Sequence, residues 1–174
     1  MRSFLMIMVA ALAIAVATPA RADTTLAVVD IQRVMNETEA GKSILAQLKT
    51  RRESLDKAIK ALEAGLKKDE QALIEKRKTA KPDEFEKDRK AFEKKVGEGR
   101  AKAQQLRVST DQSFNKAVQQ LRDQMIQVIS TMATEKKISL VITKQNVVIG
   151  DKSLEMTDDV MTRLNAKVKT IKVN

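Results

Sequence analysis

The feature that most constrains the fold is a narrow apolar stripe that runs through the middle of the chain with helical spacing. Its first members lie three, four or seven residues apart: Leu48, Leu55, Ile59, Leu62, Leu66 and Leu73. The residues between them are mostly Lys, Glu, Gln and Arg, which favour helices. Arg52 and Asp69 interrupt the stripe. A stripe this narrow resembles a coiled-coil seam, so the helix needs a partner.

The only proline beyond residue 22 marks the end of this helix and the start of its partner. Pro82 suits the first position of a new helix, and Asp83 and Glu84 follow in the first turn, where the helix dipole favours acids. A second stripe continues at heptad-like steps: Phe85, Phe92, Val96, Ala103, Leu106, Phe114, Ala117, Leu121, Met125, Val128 and Met132. We therefore predict a long antiparallel helical hairpin, a coiled-coil tentacle over residues 42–132 that reverses near residues 79–84. A single kinked helix is the alternative.

Two glycines weaken the second helix. Gly97 and Gly99 lie within one turn, and each costs about 1 kcal/mol relative to Ala inside a helix. A hinge at this point of the arm is a hypothesis that the sequence leaves open.

Short apolar segments on either side of the arm have the composition of strands. Residues 26–29 have the pattern of a short strand, and Asp30 is predicted to cap a short helix after it. The β-branched residues 138–143 and 147–149, separated by Gln-Asn, predict a β-hairpin. Thr157 is predicted to cap a last amphipathic helix.

The fold class that follows is mostly α with a small β body. The body is built from residues 23–41 and 133–174, and the arm is inserted between them. A sheet of three short strands exposes its edges and is not stable alone, so the body is predicted to be an oligomerisation domain. The candidate contact residues are the apolar strand positions Leu26, Val28, Leu140, Ile142, Val147 and Ile149.

The first 22 residues have the pattern of a secretory signal peptide. A short basic start precedes an uncharged run of 14 residues, 4–17, and Ala20-Arg21-Ala22 supplies an Ala-x-Ala cleavage pattern before Asp23. A membrane anchor is the weaker alternative, because a span needs about 20 apolar residues. We expect an exported protein, located in the periplasm if the source is Gram-negative.

Two residue types that are common in catalytic sites, cysteine and histidine, are missing from the sequence. The chain has no Cys and no His, and aromatic residues make up 2% of it. Cys nucleophiles, imidazole catalysis, disulfide scaffolds and zinc sites of the usual kind are therefore excluded. We predict that the protein is not an enzyme and needs no metal or cofactor.

The chain is basic, with a formal net charge of +10, and the excess lies in the arm. The segment 42–107 holds 20 basic and 12 acidic residues. Nucleic acid, anionic lipid and acidic proteins are the partners that such a balance suggests. Specific nucleic-acid binding is not predicted, because Phe85, Phe92 and Phe114 are the only aromatic residues beyond residue 22.

Taken together, these segments resemble a known family. A strand, Leu26-Ala27-Val28-Val29-Asp30, is followed by a basic helical hairpin, then by Ile138-Ser139-Leu140-Val141-Ile142 and by the block from Met156 to Asn165. The sequence is similar in this respect to the Skp (OmpH-like) periplasmic chaperones. The resemblance implies a homotrimer whose helical tentacles surround a cavity. It also implies an ATP-independent holdase that binds unfolded outer-membrane proteins there and prevents their aggregation.

If the resemblance holds, apolar arm residues would bind the client. The candidates are Leu62, Leu66, Leu73, Phe85, Phe92 and Val96. Met125 and Met132 are expected to add adaptable surface nearer the body. The alternative for each residue is packing within the hairpin seam.

A basic arm tip is the second candidate site. It comprises Lys76, Arg77, Lys78, Lys81, Lys87, Arg89, Lys90, Lys94 and Lys95. These residues are expected to contact anionic lipid headgroups or lipopolysaccharide, or else to form a solvated coiled-coil face. Two other functions remain open: a structural coiled-coil protein of the envelope, and a non-specific binder of anionic polymers such as nucleic acid or lipopolysaccharide.

Overall fold

A computed structural model describes residues 25–174 as a long helical arm on a small α/β body. The predicted signal peptide, residues 1–22, lies outside the described residues and stays a prediction. The elements are β1 (Leu26–Val29), α1 (Ile31–Glu37), α2 (Glu39–Lys76), α3 (Pro82–Glu135), β2 (Leu140–Thr143), two 3-10 turns (Lys144–Asn146 and Lys152–Leu154) and α4 (Thr157–Lys167). Among these residues, no helix has both the length and the apolar character that crossing a membrane requires.

The arm is an antiparallel pair of helices, as the two apolar stripes predict. Helix α2 is 38 residues long, about 57 Å at 1.5 Å per residue, and residues 77–81 connect it to α3. Pro82 opens α3, with Asp83 and Glu84 in the first turn. The prediction of a mostly helical chain with a long hairpin and a small sheet is confirmed.

The sheet of the described residues differs from the predicted one. It has two strands, which run parallel, with Leu26 opposite Leu140 and Val29 opposite Thr143. The predicted β-hairpin across residues 138–149 is therefore wrong. A 3-10 turn at Lys144–Asn146 directs the chain away from β2, and residues 147–149 form no strand despite their β-branched side chains.

The arm is tied to β2 by the C-terminal turn of α3. The amide of Lys137 donates to the carbonyl of Thr134 at 3.3 Å, and the amide of Ile138 donates to that of Ala133 at 2.8 Å. This bonding pattern is a Schellman motif, which needs a left-handed residue. Lys137 occupies that position with φ 55°, a conformation that glycine adopts more readily.

The apolar core lies where the body meets the first turns of the arm. Leu121, Met125 and Met132 of α3 are fully buried, and they share one cluster with Val34 of α1 and Leu164 of α4. The expectation that Met125 and Met132 add adaptable surface is wrong, because α1 and α4 cover this part of α3 and both side chains become core residues.

Two polar residues join the strand β1 to the helices around it. Asp30 caps α1 as predicted, since its Oδ1 accepts from the amide of Arg33 at 2.9 Å. The prediction that Thr157 caps α4 is wrong. Met156 is the residue before the helix, without a side-chain cap, and Thr157 is buried. The hydroxyl oxygen of Thr157 accepts instead from the amide of Asp30 at 2.9 Å, which fixes α4 against the end of β1.

Candidate functional site: the distal arm

The distal arm, residues 49–109, contains no buried residue. Its helices touch only each other, because α1, α4 and the sheet lie at the other end of the hairpin. Every apolar seam residue in this part is half-buried at most. A narrow apolar strip therefore runs along the arm with part of its surface in solvent.

All six predicted client-binding residues lie on this strip. Each is half-buried: Leu62, Leu66, Leu73, Phe85, Phe92 and Val96. The structure brings Leu62 and Leu66 together in one groove and Leu73 and Phe92 together in another. They pack in the hairpin seam and expose surface at the same time, so the two interpretations of these residues are compatible.

The first groove is shaped by glycines. Leu62 and Leu66 of α2 line an open groove of about 360 Å³ with Gly65 and Gly99. A Cβ at Gly99 would lie 3.1 Å from Leu66 Cδ1, whereas one at Gly65 would meet nothing within 4 Å. The missing side chains let the two helices approach at Gly99 and leave the groove open at Gly65.

Helix α3 passes through the predicted hinge without a break. It runs as one helix from Pro82 to Glu135, which includes Gly97 and Gly99. Gly97 has open space around it, and a Cβ added there would meet nothing within 4 Å. The hinge at these glycines stays a prediction.

The second groove is bordered by ion pairs that cross from α2 to α3. Leu73 and Phe92 lie between Lys76 with Asp88, at 2.6 Å, and Asp69 with Lys95, at 2.9 Å. The hydrogen bond and charge of Asp69 raise the pKa of Lys95 above its usual value. Asp69, which interrupts the apolar stripe of the sequence, therefore serves as a cross-arm link.

Most cations of the predicted basic tip are neutralised by neighbouring acids. Six of its nine members form ion pairs: Lys76, Lys78, Arg89, Lys90, Lys94 and Lys95. Arg89 bonds both Glu86 and Glu93, and its hydrogen bond lowers the pKa of Glu86 below the ordinary value. Arg77, Lys81 and Lys87 have no ion-pair partner within residues 25–174.

A lysine stripe, which the sequence analysis missed, lies on the outward face of α2. Lys57, Lys60, Lys67 and Lys68 are exposed and have no acidic partner within the part of the chain that the structure describes. At 100° per residue they share a face opposite the seam with Ala64 and Gln71. No acid lies on this face between residues 57 and 71, although Glu53 and Glu75 flank it. Charge counts cannot separate paired from unpaired cations, and spacing alone does not either, because Glu53, Asp56 and Glu63 lie four residues before Lys57, Lys60 and Lys67 without forming ion pairs.

The body exposes a second apolar surface. Val148 and Ile149 are 98% and 92% exposed, and Leu140 is 52% exposed on β2. Of the other predicted contact residues, Leu26 is exposed, Ile142 and Val147 are half-buried and Val28 is buried in the chain's own core. Their role in oligomerisation stays a prediction.

No cluster of three or more acidic side chains within residues 25–174 is arranged to hold a metal ion.

Comparison with known proteins agrees with this architecture. The family model described as "Outer membrane protein (OmpH-like)" matches residues 25–164. A crystal structure of a candidate outer membrane chaperone (OmpH-like) from Caulobacter crescentus CB15 is similar, with a TM-score of 0.78 and 20% identity, over 84% of this chain and 87% of that one. No protein with a curated description matches the sequence.

Proposed function

The chain belongs to the OmpH-like family of outer membrane proteins, and from this premise we propose that it is an ATP-independent holdase chaperone. Its clients would be unfolded outer-membrane proteins in the periplasm, and no chemical reaction is assigned to it. One observation carries the proposal: the roughly 60 residues of the distal arm bury no side chain and leave an apolar strip half-exposed to solvent.

Weak, repeated contacts would make this strip a holding surface. A half-exposed Leu or Phe offers only part of the 1.5–3 kcal/mol or so that full burial of such a side chain supplies. Several of them along the arm bind an extended apolar segment broadly and reversibly. The surrounding cations attract acidic clients at long range and raise the association rate.

Assembly into a homotrimer would place several arms around one client. A two-stranded sheet, extended by one isolated bridge between Val28 and Glu155, is too small to be stable by itself, and the body exposes Leu140, Val148 and Ile149 beside it. Contacts between copies through this surface would cover it and leave the arms projecting around a cavity.

Native mass spectrometry of residues 23–174, alone and with a denatured outer-membrane β-barrel protein, tests the proposal. We expect a trimer that takes up one client. A trimer that ignores the client would favour a structural coiled-coil protein of the envelope, and a monomer or dimer would overturn the proposed assembly.

A matched pair of variants tests the strip itself. Leu62→Ser places a hydroxyl on the half-buried seam, whereas Ala64→Ser places the same group on the outward face of α2. We expect Leu62→Ser to weaken client binding about fivefold, from the loss of roughly 1 kcal/mol of apolar contact, and Ala64→Ser to leave it unchanged. Equal affinity for the two variants would show that the seam does not bind the client.

Binding to an anionic surface, such as phospholipid headgroups or lipopolysaccharide, is a second candidate function. The observation that favours it is the lysine stripe, since each unpaired Lys near an anionic membrane contributes about 1 kcal/mol. Sedimentation with phosphatidylglycerol vesicles should fall steeply when Lys57, Lys60, Lys67 and Lys68 become Gln. The same change at four lysines of the ion-paired tip, Lys76, Lys78, Lys90 and Lys94, should matter less, and the reverse ranking would contradict this location.

A further inference from the structure

The last seven residues of the chain are attached to the arm as well as to the body. After α4 ends at Lys167, residues 168–174 continue without regular secondary structure. Ile171 and Val173 are buried in the same apolar cluster as Ile44 of α2 and Leu164 of α4, and Lys172 between them is exposed. This alternation of buried and exposed side chains is that of an extended segment lying on a surface.

One side chain of α2 binds the backbone of this segment at two points. Gln47 Nε2 donates to the carbonyl oxygen of Ile171 at 2.7 Å, and Gln47 Oε1 accepts from the amide of Val173 at 3.0 Å. The carbonyl of one residue and the amide two residues later point to the same side of an extended chain. The side-chain amide of Gln47 therefore supplies the donor and the acceptor that the backbone of a neighbouring strand would offer.

Side chains near the two ends of the attachment hold it in place. Gln47 Nε2 also lies 3.1 Å from Ser43 Oγ, one turn earlier in α2, which orients the amide toward the segment. Lys167 Nζ donates to Gln127 Oε1 of α3 at 2.9 Å, where the segment leaves α4. The segment thus begins against one helix of the arm and ends against the other.

The segment lies beyond the residues that the family model matches, which end at 164. We propose that residues 168–174 form a strap that sets the angle between arm and body. The strap binds the third turn of α2, just before the distal arm begins, and so restrains the helix at the last point where the body can reach it.

Leverage makes this position effective. Gln47 lies eight residues from the start of α2 and Ala64 lies 25 residues from it, which is about 12 Å and 38 Å along the helix. If the arm pivots where α2 begins, a slack of 1 Å at Gln47 moves the arm at Ala64 by about 3 Å. In an oligomer, the width of the opening between neighbouring arms would therefore depend on how firmly the strap is bound.

Spin-label distance measurements test the strap without any client, so their outcome is independent of the chaperone proposal. The chain has no Cys, so Ala64→Cys on the arm and Thr162→Cys on α4 provide the only two labelling sites. Labelled chains are diluted with unlabelled ones so that each oligomer carries one pair. Gln47→Met removes both hydrogen bonds and keeps the length of the side chain, and Gln71→Met makes the same change at an exposed site on the same helix.

We expect Gln47→Met to broaden the distribution of distances between the two labels by about 3 Å for each ångström by which α2 becomes free to move at residue 47. Gln71→Met should leave the distribution unchanged. Amides of α2 near residues 47–52 should exchange at least about tenfold faster in Gln47→Met, as expected for the net loss of its two hydrogen bonds to the segment. Truncation after Lys167 should broaden the distribution at least as much. Unchanged distributions in both Gln47→Met and the truncated chain, with circular dichroism showing folded protein, would overturn the proposal.

Discussion

The two ends of the arm are made of the same two helices but are stabilised in different ways. At the base, α2 buries Ala40, Gly41, Ile44 and Leu48, and α3 buries a row of residues from Thr110 to Met132. In the distal arm, residues 49–109, the seam continues with similar apolar residues and buries none of them. The difference is a third layer, since α1, α4 and the sheet cover only the base.

This comparison separates a stable base from the proposed holding surface within one hairpin. The base gains free energy from a packed core, whereas the distal arm depends on helix propensity, half-buried contacts and cross-arm ion pairs. Regions with few buried apolar contacts open locally at low cost. An arm that is firmly held at its base and loosely packed beyond it is suited to bind clients of varied shape.

The largest contrast is expected from one substitution made in both regions. Gly41 is buried in the first turn of α2, and a Cβ there would lie 2.0 Å from the carbonyl oxygen of Met35. Gly41→Ala must displace backbone and should lower the free energy of unfolding by about 3 kcal/mol or more. Gly65→Ala meets open space and should raise it by about 0.5–1 kcal/mol, because glycine is unfavourable inside a helix.

Urea unfolding at a fixed protein concentration measures both variants. A lower free energy of unfolding in Gly41→Ala and a higher one in Gly65→Ala would support the division between base and distal arm. A Gly41→Ala protein as stable as the parent would mean that α2 and the end of α1 are less closely packed than the structure has them.

Truncation of leucines sharpens the same contrast. Leu121 is fully buried at the base, so Leu121→Ala should cost about 2–5 kcal/mol through lost burial and a cavity. Leu62→Ala, on the half-buried seam, should lower the free energy of unfolding by about 1 kcal/mol, and it should weaken client capture as well. Similar losses of stability for the two variants, measured by urea unfolding, would contradict the view that only the base has a core.

Local patterns in the sequence predict the arm well because a helical hairpin depends on spacing along the chain. The stripe around Leu62 and the break at Pro82 favour two antiparallel helices over the single kinked helix that was the alternative. The sheet was less predictable, because the partner of β2 is β1, more than 100 residues away, and nothing local distinguishes that pairing from a hairpin with residues 147–149.

The candidate site shows the same limit. The six apolar residues were predicted from their spacing, and their spacing does place them on one strip. The ion pairs were not predicted, because a count of charged residues treats Lys95 and Lys60 alike. Of these two lysines, only Lys95 has an acid, Asp69, on the opposite helix. Pairing between α2 and α3 depends on the register of the two helices, which the apolar pattern does not specify.

A smaller, pH-dependent effect is expected at the body. The amide of Arg33, the strongest influence, and the side chain of Gln145 donate hydrogen bonds to Asp30 and hold the pKa of its carboxyl below the usual range. This contribution to stability is present above the unfolded pKa of about 3.9 and is lost as pH falls through the lower folded pKa.

Acid titration of two variants isolates this cap. Asp30→Asn keeps a good cap without a titrating group and should flatten the acid limb below about pH 4, whereas Asp30→Ala should cost about 1 kcal/mol at neutral pH. Hydrogen exchange in α1 should follow these changes while the distal arm stays unaffected. An identical acid limb in the parent and in Asp30→Asn would contradict the role of this carboxyl.

The smallest effect is expected from the cross-arm pair of Asp69 and Lys95, which sharpens the comparison from the distal side. Lys95 is exposed and Asp69 is partly exposed, so water and salt screen their attraction. Lys95→Gln should lower the unfolding midpoint by about 1 °C or less, and the difference should vanish at about 1 M salt. Because no core supports the distal arm, however, local hydrogen exchange around residues 66–73 should still speed up. If exchange there does not change in Lys95→Gln or in Asp69→Asn, the half-buried seam alone holds the distal helices together, and the ion pairs contribute nothing to keeping the apolar strip in place.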